Sequence, residues 1–305
     1  PMADIRLNEV TKDYGHERGV FDLGFEIKKG EIFGFVGPNG AGKTTTIRQI
    51  MGFIKPSAGD IEIRGLDAYS DATETKNFIG YIPGEIAFPD LSTGHSFIRS
   101  QAEFWKLKDL SFADELVKIL QIDLSANPRK MSKGMKQKTA VIAALMNDSE
   151  ILILDEPTTG LDPLMRKHFL DILEREKAKG KTIFISSNIF QELEELCDRV
   201  ALIKDGRIID IAVMEDIRNP KKREYKIEFL EKDDFESFRK LPYEFIRIKD
   251  DQNQVIIKID VNDTGKLIRD LSEHRIKFIS ENKYSLEKYF KEKFDQFEEG
   301  AEDDQ

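Results

Sequence analysis

One cysteine stands in 305 residues, and that scarcity is the first constraint. Cys197 can close no disulfide within the chain, so stability must come from the core, and a reducing compartment is expected. It lies in Leu193-Glu-Glu-Leu-Cys197-Asp-Arg-Val200, an amphipathic stretch where a buried structural thiol is the ordinary reading. Histidine is also scarce: His16, His95, His168 and His274 are the whole set. No second ligand is spaced near His16 or His95 as a zinc site requires. No apolar run approaches the ~20 residues that span a bilayer, so a membrane task would need another chain. Residues Pro1 to Ile5 have neither the basic start nor the apolar stretch of a secretory leader, and none is expected. Positive charge is outweighed, with 47 Lys and Arg against 57 Asp and Glu for a net of −10. No segment is strongly basic, so nucleic acid is not expected as a partner.

The most specific feature present is Gly37-Pro-Asn39-Gly40-Ala41-Gly42-Lys43-Thr44-Thr45, which fits G-x-x-x-x-G-K-[ST]. Before it, Glu31-Ile-Phe-Gly-Phe-Val36 reads as a buried strand, and after it Thr45 to Met51 reads as a helix. In that setting the glycines let successive N–H groups converge on one anion, and the helix N-terminus adds its partial positive charge. Lys43 can reach β- and γ-phosphates, and Thr44 can place its hydroxyl on Mg²⁺. The bland alternative is an ordinary glycine turn, which leaves the Lys and Thr in register unexplained. The loop by itself specifies bound nucleotide phosphates and no more.

Periodicity divides the rest. Ile5 to Val10 and Phe21 to Ile27 read as strands, and Ile61 to Arg64 alternates as a half-buried one. From about Thr93 to Met146 the pattern is helical. Ile151 to Leu154 and Thr182 to Ile185 are continuous apolar runs, as in buried parallel strands, with helical Leu164 to Lys179 between them. The charged stretch Arg218-Asn-Pro-Lys-Lys-Arg223 reads as a linker. Beyond it the order is strand (225–230), helix (234–240), strand (244–248), strand (254–259), helix (264–274) and strand (276–280). That is a split βαβ, or ferredoxin-like, pattern. Phe229, Phe235, Phe238 and Phe245 are most simply its core. A helix from Ser285 to Phe297 follows, and the acidic tail is expected to be disordered. The fold class is therefore α/β with a helical subdomain at about 90–146, over residues 1–219. A small α+β domain over 220–298 and a tail over 299–305 complete the chain.

A second constellation narrows the chemistry. Strand Ile151 to Leu154 ends in Asp155 and Glu156. An Asp at a strand end near a phosphate loop can hold Mg²⁺, and a neighbouring carboxylate can polarise water. Two solvated acids are the bland reading, but Pro157-Thr-Thr-Gly-Leu-Asp162 follows. Upstream lies Met131-Ser132-Lys133-Gly134-Met135, leading into a helix from Thr139 to Met146. Together these segments resemble the ATP-binding cassette (ABC) family, over roughly residues 4 to 217. Its L-S-G-G-Q signature is matched at Ser132 and Gly134 and departs at Met135. The resemblance implies that Ser132 and Gly134 cap a γ-phosphate bound by a second copy. It implies that Tyr14 stacks on adenine and that Asp162 links two sites across a dimer. ATP and Mg²⁺ are then the cofactors, with Thr44 and Asp155 on the metal and Glu156, Lys43 and the residue at 188 catalytic. Two further positions depart from the pattern. Gly84, in Ile79-Gly-Tyr-Ile-Pro83-Gly84-Glu85, occupies the usual Gln slot; either Glu85 contributes a carboxylate or the loop is only a mechanical link, and resemblance to the bacitracin and multidrug-resistance exporter branch, where Pro-Gly-Glu/Asp is common, favours the second. Asn188 stands where a switch His is expected; its amide can donate to a γ-phosphate but carries no charge, which predicts slower hydrolysis.

The resemblance further implies a peripheral protein at the cytoplasmic face of the cell membrane. Its partners would be an integral membrane permease and a second copy or paralogue, with membrane contact only through the permease. Phe88-Pro89-Asp90-Leu91 is the candidate docking segment, against the bland reading of a helix-starting turn. Two alternatives stand beside the exporter: an ATP-sensing regulatory protein with little hydrolysis, and a soluble ABC ATPase outside transport. No N-K-x-D guanine motif is present.

Overall fold

The computed structural model describes residues 2–303, with side chains through 295. Contacts divide the chain into two compact units, Pro1–Ala212 and Val213–Gln305.

In the first unit, β1 (Ala3–Asp13), β2 (Gly19–Lys28), β4 (Ala58–Ile63) and β5 (Leu66–Asp67) form an antiparallel sheet in the order β2-β1-β4-β5. A second sheet holds β3 (Ile32–Val36), β6 (Ile79–Ile82), β7 (Ile151–Asp155), β8 (Thr182–Ser187), β9 (Arg199–Lys204) and β10 (Arg207–Val213), in the order β10-β9-β3-β8-β7-β6. Strands β9, β3, β8, β7 and β6 pair in parallel. Every residue of β3, β7 and β8 is buried, which is why their sequences are unbroken apolar runs with a polar residue only where a strand ends. Between the two sheets Phe25 stacks on Phe33 at 5.0 Å between centroids, with Phe184 6.1 Å beyond Phe33. Each buried ring contributes about 1.5–3 kcal/mol through the surface it removes from water.

Helices α1 (Lys43–Ile50), α2 (Ala72–Thr75), α3 (Gly94–Phe104), α4 (Ser111–Leu120), α5 (Lys133–Leu145), α6 (Pro163–Ala178) and α7 (Phe190–Leu196) connect these strands. Helices α3 to α5 occupy the segment expected to be helical, broken by turns. Helix starts follow their caps: Thr93, Ser132 and Asp162 each accept a hydrogen bond from the backbone N–H three residues on. Strands β9 and β10 and the motif-bearing β6 were not among the strands expected.

The second unit contains α8 (Met214–Arg218), β11 (Lys222–Phe229), α9 (Lys232–Phe238), β12 (Glu244–Lys249), β13 (Gln254–Asp260), α10 (Thr264–Ser272), β14 (Ile276–Asn282) and α11 (Leu286–Asp303). The sheet order is β12-β13-β11-β14, with every neighbouring pair antiparallel. Phe229, Phe235 and Phe238 are fully buried in its core, and Phe245 packs against them. Two expectations change here. Arg218 ends a helix and Lys222 begins a strand, so the linker shrinks to three residues. The acidic tail continues α11 as backbone helix to Asp303, past the expected stop at Phe297; residues 304 and 305 lie outside the described part. Leu286 and Phe290, one turn apart, are buried and anchor the start of that helix.

Candidate nucleotide site

The site lies at the C-terminal ends of parallel strands, where open α/β sheets bind ligands. The loop after β3 turns into α1 at Gly42, which caps the helix with φ 111°. A side chain there would be strained by that φ and would meet Val20 at 2.5 Å, so glycine is required. Lys43, 5% exposed, reaches back over the loop and donates to the carbonyls of Gly37 at 2.5 Å and Pro38 at 3.1 Å. Its ammonium also faces Glu156 Oε1 at 3.4 Å.

Asp155 ends β7 and is 1% exposed. Its carboxylate accepts from Thr44 Oγ1 at 3.0 Å and from Ser186 Oγ at 2.8 Å, so α1, β7 and β8 are locked at one group. Glu156 follows with φ 47°, a conformation unusual outside glycine, and its N–H donates to the Ser186 carbonyl at 3.1 Å. That turn aims the Glu156 side chain at Lys43 while Asp155 points to Thr44.

A cleft of about 700 Å³ opens above these groups. Tyr14, Asn39, Gly40, Gly42, Lys43, Thr44, Thr45, Asp155 and Glu156 line it, as does Gly84. Gly37 and Ala41 support the loop from below: Gly37 through its carbonyl, Ala41 from the core. Tyr14 is half-exposed, with the Lys12 ammonium 5.7 Å from its ring centroid. Position 84 is explained by its neighbour. A Cβ there would stand 2.8 Å from Asp155 Oδ2, a carboxylate already held by two hydroxyls. Tyr81 closes the side of the cleft; burial, helped by the charge of Asp155, pushes its phenol up to about 12, so it stays neutral.

The remaining expected residues are elsewhere. Ser132 and Asp162 are exposed helix caps, and Gly134 approaches Gly160 so closely that a Cβ would meet its carbonyl oxygen at 2.8 Å. These three gather on one patch that does not line the cleft. Asn188 is exposed just past β8 and does not line the cleft either. Sequence reasoning missed three contributors. Arg48 lines the cleft from α1, one turn after Thr44, a spacing that puts the two on one face. Ser186 was visible only as the polar end of an apolar run. Gln137 is buried and donates to the Pro157 carbonyl at 2.7 Å, tying α5 to the turn after Glu156.

The family model described as "ABC transporter" matches residues 20–159. The bacitracin transport ATP-binding protein BcrA of Bacillus licheniformis is 38% identical over 209 residues, 68% of each chain. This chain belongs to the ABC transporter family. Within it, the linearmycin resistance ATP-binding protein LnrL of Bacillus subtilis (strain 168) is 34% identical over 218 residues, 70% of each chain. The Nod factor export ATP-binding protein I of Burkholderia orbicola (strain AU 1054) is 36% identical over 213 residues, 68% of this chain and 70% of that one. Among solved structures, an ATP-binding subunit of an ABC transporter superposes with a TM-score of 0.65 at 30% identity, over 70% of this chain and 91% of that one. The fold is shared with an ATP-binding cassette in a dimeric post-hydrolysis state bound to ADP and Pi. That match has a TM-score of 0.62 at 22% identity, over 69% of this chain and 98% of that one. The matched ABC segment covers both the Lys43 loop and the Asp155–Glu156 turn that line the cleft.

Proposed function

We propose that the chain is the ATP-hydrolysing subunit of an exporter, working as a pair of copies that drives a separate integral membrane permease. One observation carries this reading. Lys43, Thr44, Asp155 and Glu156 converge in one cleft, while Ser132, Gly134 and Asp162 sit together on an exposed patch outside it. A single copy therefore holds half of each set. Placing two copies head to tail brings the Ser132 helix cap of one onto the phosphates held by the other, another N-terminus aimed at an anion.

In this reading the N–H groups from Asn39 to Thr45 and the Lys43 ammonium hold the phosphates, and Tyr14 stacks on the base. The donor set fits Mg²⁺. Thr44 Oγ1 and Asp155 Oδ2, two hard oxygen donors 3.0 Å apart, would hold it, and it would supply neutralisation of phosphate charge. Glu156 accepts the proton of the attacking water. Asn188, outside the cleft lining in a single copy, reaches the γ-phosphate only on closure and then donates a neutral hydrogen bond, weaker than that of a charged group. Closure on ATP and reopening after hydrolysis move the permease.

A second cleft supports the membrane partner. Ile86, Ala87, Phe88, Phe97, Phe104 and Trp105 line an apolar groove of about 510 Å³, which Tyr81 and Pro83 connect to the nucleotide cleft. We read it as the seat of a permease helix, which places the chain at the cytoplasmic face of the membrane. Among the described residues no helix is long and apolar enough to cross one. The names of the relatives suggest a cargo of peptide-antibiotic or lipid-like type. The strand order of the second unit supports a ferredoxin-like appendage, read as residues 220–298 after an ATP-binding domain over 1–219. The regulatory alternative, ATP sensing with little hydrolysis, draws on Gly84 and Asn188, while Glu156 beside Lys43 opposes it. Measuring ATP turnover of the purified chain with and without its co-purified membrane protein tests the proposal. Recovery of no membrane protein from a detergent extract overturns the transport part.

A further inference from the structure

Glu192 is a carboxylate in the wrong place for a fold built only for stability. It lies on α7, its residue 3% exposed, away from the cleft lining. An apolar side chain of similar size would fill that space without the desolvation cost of a buried charge. Instead one oxygen, Oε2, accepts two hydroxyl protons: from Thr158 Oγ1 at 2.9 Å and from Ser187 Oγ at 3.1 Å. The other oxygen, Oε1, faces Arg166 Nε at 2.9 Å, a charge contact whose N–H is not aligned as a hydrogen bond.

The two hydroxyls belong to the two loops that flank the reacting region. Thr158, 3% exposed, lies two residues after Glu156 and four before Asp162. Ser187 ends β8 and immediately precedes Asn188. Ser187 Oγ also accepts from the Ile189 N–H at 3.0 Å, so the backbone on either side of Asn188 is pinned to one hydroxyl. Arg166 adds the first turn of α6, the helix that Asp162 caps. Burial pushes the Glu192 carboxyl up, and the Thr158 hydroxyl, the Arg166 charge and the Ser187 hydroxyl pull it back; Glu195 adds a smaller upward push.

We infer that Glu192 is a positioning residue for catalysis: it ties the Glu156–Asp162 turn and the Asn188 loop to one oxygen atom, so that both meet the γ-phosphate in register. This rests on the ATPase reading above. Loops released from such an anchor misplace reacting groups, and ~1 Å of misplacement costs about 10²-fold in rate. Phosphate binding, built on the remote 39–45 loop, is left alone.

Glu192→Ala, Glu192→Gln and the wild type are compared by ATP turnover, by affinity for a fluorescent ATP analogue, and by amide hydrogen exchange. For Glu192→Ala, kcat falls by about 10²-fold with the affinity nearly unchanged. Exchange rises across residues 158–162 and 187–189 but not in β3. Glu192→Gln keeps an acceptor for both hydroxyls but turns its NH2 toward Arg166, and recovers part of the rate and of the local protection. Three results overturn the inference: unchanged exchange in both loops of Glu192→Ala, a loss of protection spread evenly over the first unit, or Glu192→Gln no better than Glu192→Ala. Should Glu192→Ala fail to fold, Thr158→Val removes one of the two ties, and unchanged exchange at 158–162 then overturns it. A wild type without turnover sinks the ATPase reading alone, because the exchange comparison still decides the anchor.

Discussion

Neutralising Glu156 should separate the binding of nucleotide from its cleavage. The Glu156 carboxylate, 28% exposed, stands 3.4 Å from the Lys43 ammonium, which is 5% exposed. Coulomb's law at an effective dielectric of ~20 gives about 5 kcal/mol for unit charges at that distance. Desolvation and screening leave a net of about 1.5–3 kcal/mol for a charged contact of this kind. An incoming phosphate competes with Glu156 for Lys43. In Glu156→Gln the competitor loses its charge, while Lys43 keeps the Gly37 and Pro38 carbonyls. Affinity for ATP should therefore hold or rise, by up to about tenfold for each 1.4 kcal/mol released. Cleavage should fall by roughly 10²–10⁴, the usual loss with a general base, or about 2.7–5.5 kcal/mol of barrier. The assay pairs phosphate release at saturating ATP with equilibrium binding of a fluorescent analogue. Near wild-type turnover would refute the assignment of Glu156 as base. A parallel loss of affinity and rate would refute the competition, since it would mean that Glu156 holds the loop together.

Asn188→His restores a charged donor to the loop after β8 and should raise turnover without changing nucleotide affinity; an unchanged or lower rate in steady-state assays refutes the charge argument. Glu176, fully buried on α6, forms ion pairs with Lys179 and with buried Lys181. Glu176→Ala leaves Lys181 only its pair with exposed Asp148 and should cost about 1.5–3 kcal/mol, a drop in Tm of roughly 5 °C; calorimetry showing no drop contradicts it. Phe104, 73% exposed in the apolar groove, can take a charge without harming the core. Phe104→Asp should abolish recovery of the membrane partner while leaving ATP-analogue binding intact, and undiminished co-purification removes the groove from the interface.

What the chain spelled out was whatever physics makes local. The phosphate loop needs glycines, a lysine and a threonine at fixed spacing, so nine consecutive residues announced it. Strands β3, β7 and β8 are buried on both faces, so each is an unbroken apolar run. The alternating core of the second unit likewise betrayed its β-α-β-β-α-β order. Strands β9 and β10 were obscured because Arg199-Val-Ala-Leu-Ile-Lys204 and Arg207 to Val213 follow directly on an amphipathic helix, with only an Asp205-Gly206 turn between them. The acidic stretch after Phe297 misled for a related reason. Charge and low hydropathy lower the expectation of structure, yet a helix already anchored at Leu286 and Phe290 extends at small cost per residue.

The site was harder, because much of it is assembled by pairings distant in sequence. Gly84 looked like a missing glutamine until Asp155 was seen to occupy the space beside it, 71 positions later in the chain. Ser186 and Gln137 act through hydrogen bonds to Asp155 and to the Pro157 carbonyl, and nothing in their own neighbourhoods marks them. The sharpest case is Ser132, Gly134 and Asp162. Their sequence resembles a nucleotide-binding signature, yet in one copy Ser132 and Asp162 cap helices, Gly134 lies in the first turn of one of them, and none lines the cleft. A capping serine is satisfied by its own helix, as Ser132 is by the Met135 N–H. Local stability alone therefore accounts for Ser132, but not for Gly134, whose missing side chain brings the backbone of this patch against Gly160 at the start of the Asp162 turn. That close approach holds the two segments side by side, so that Ser132 and Asp162 can meet a copy of the cleft together.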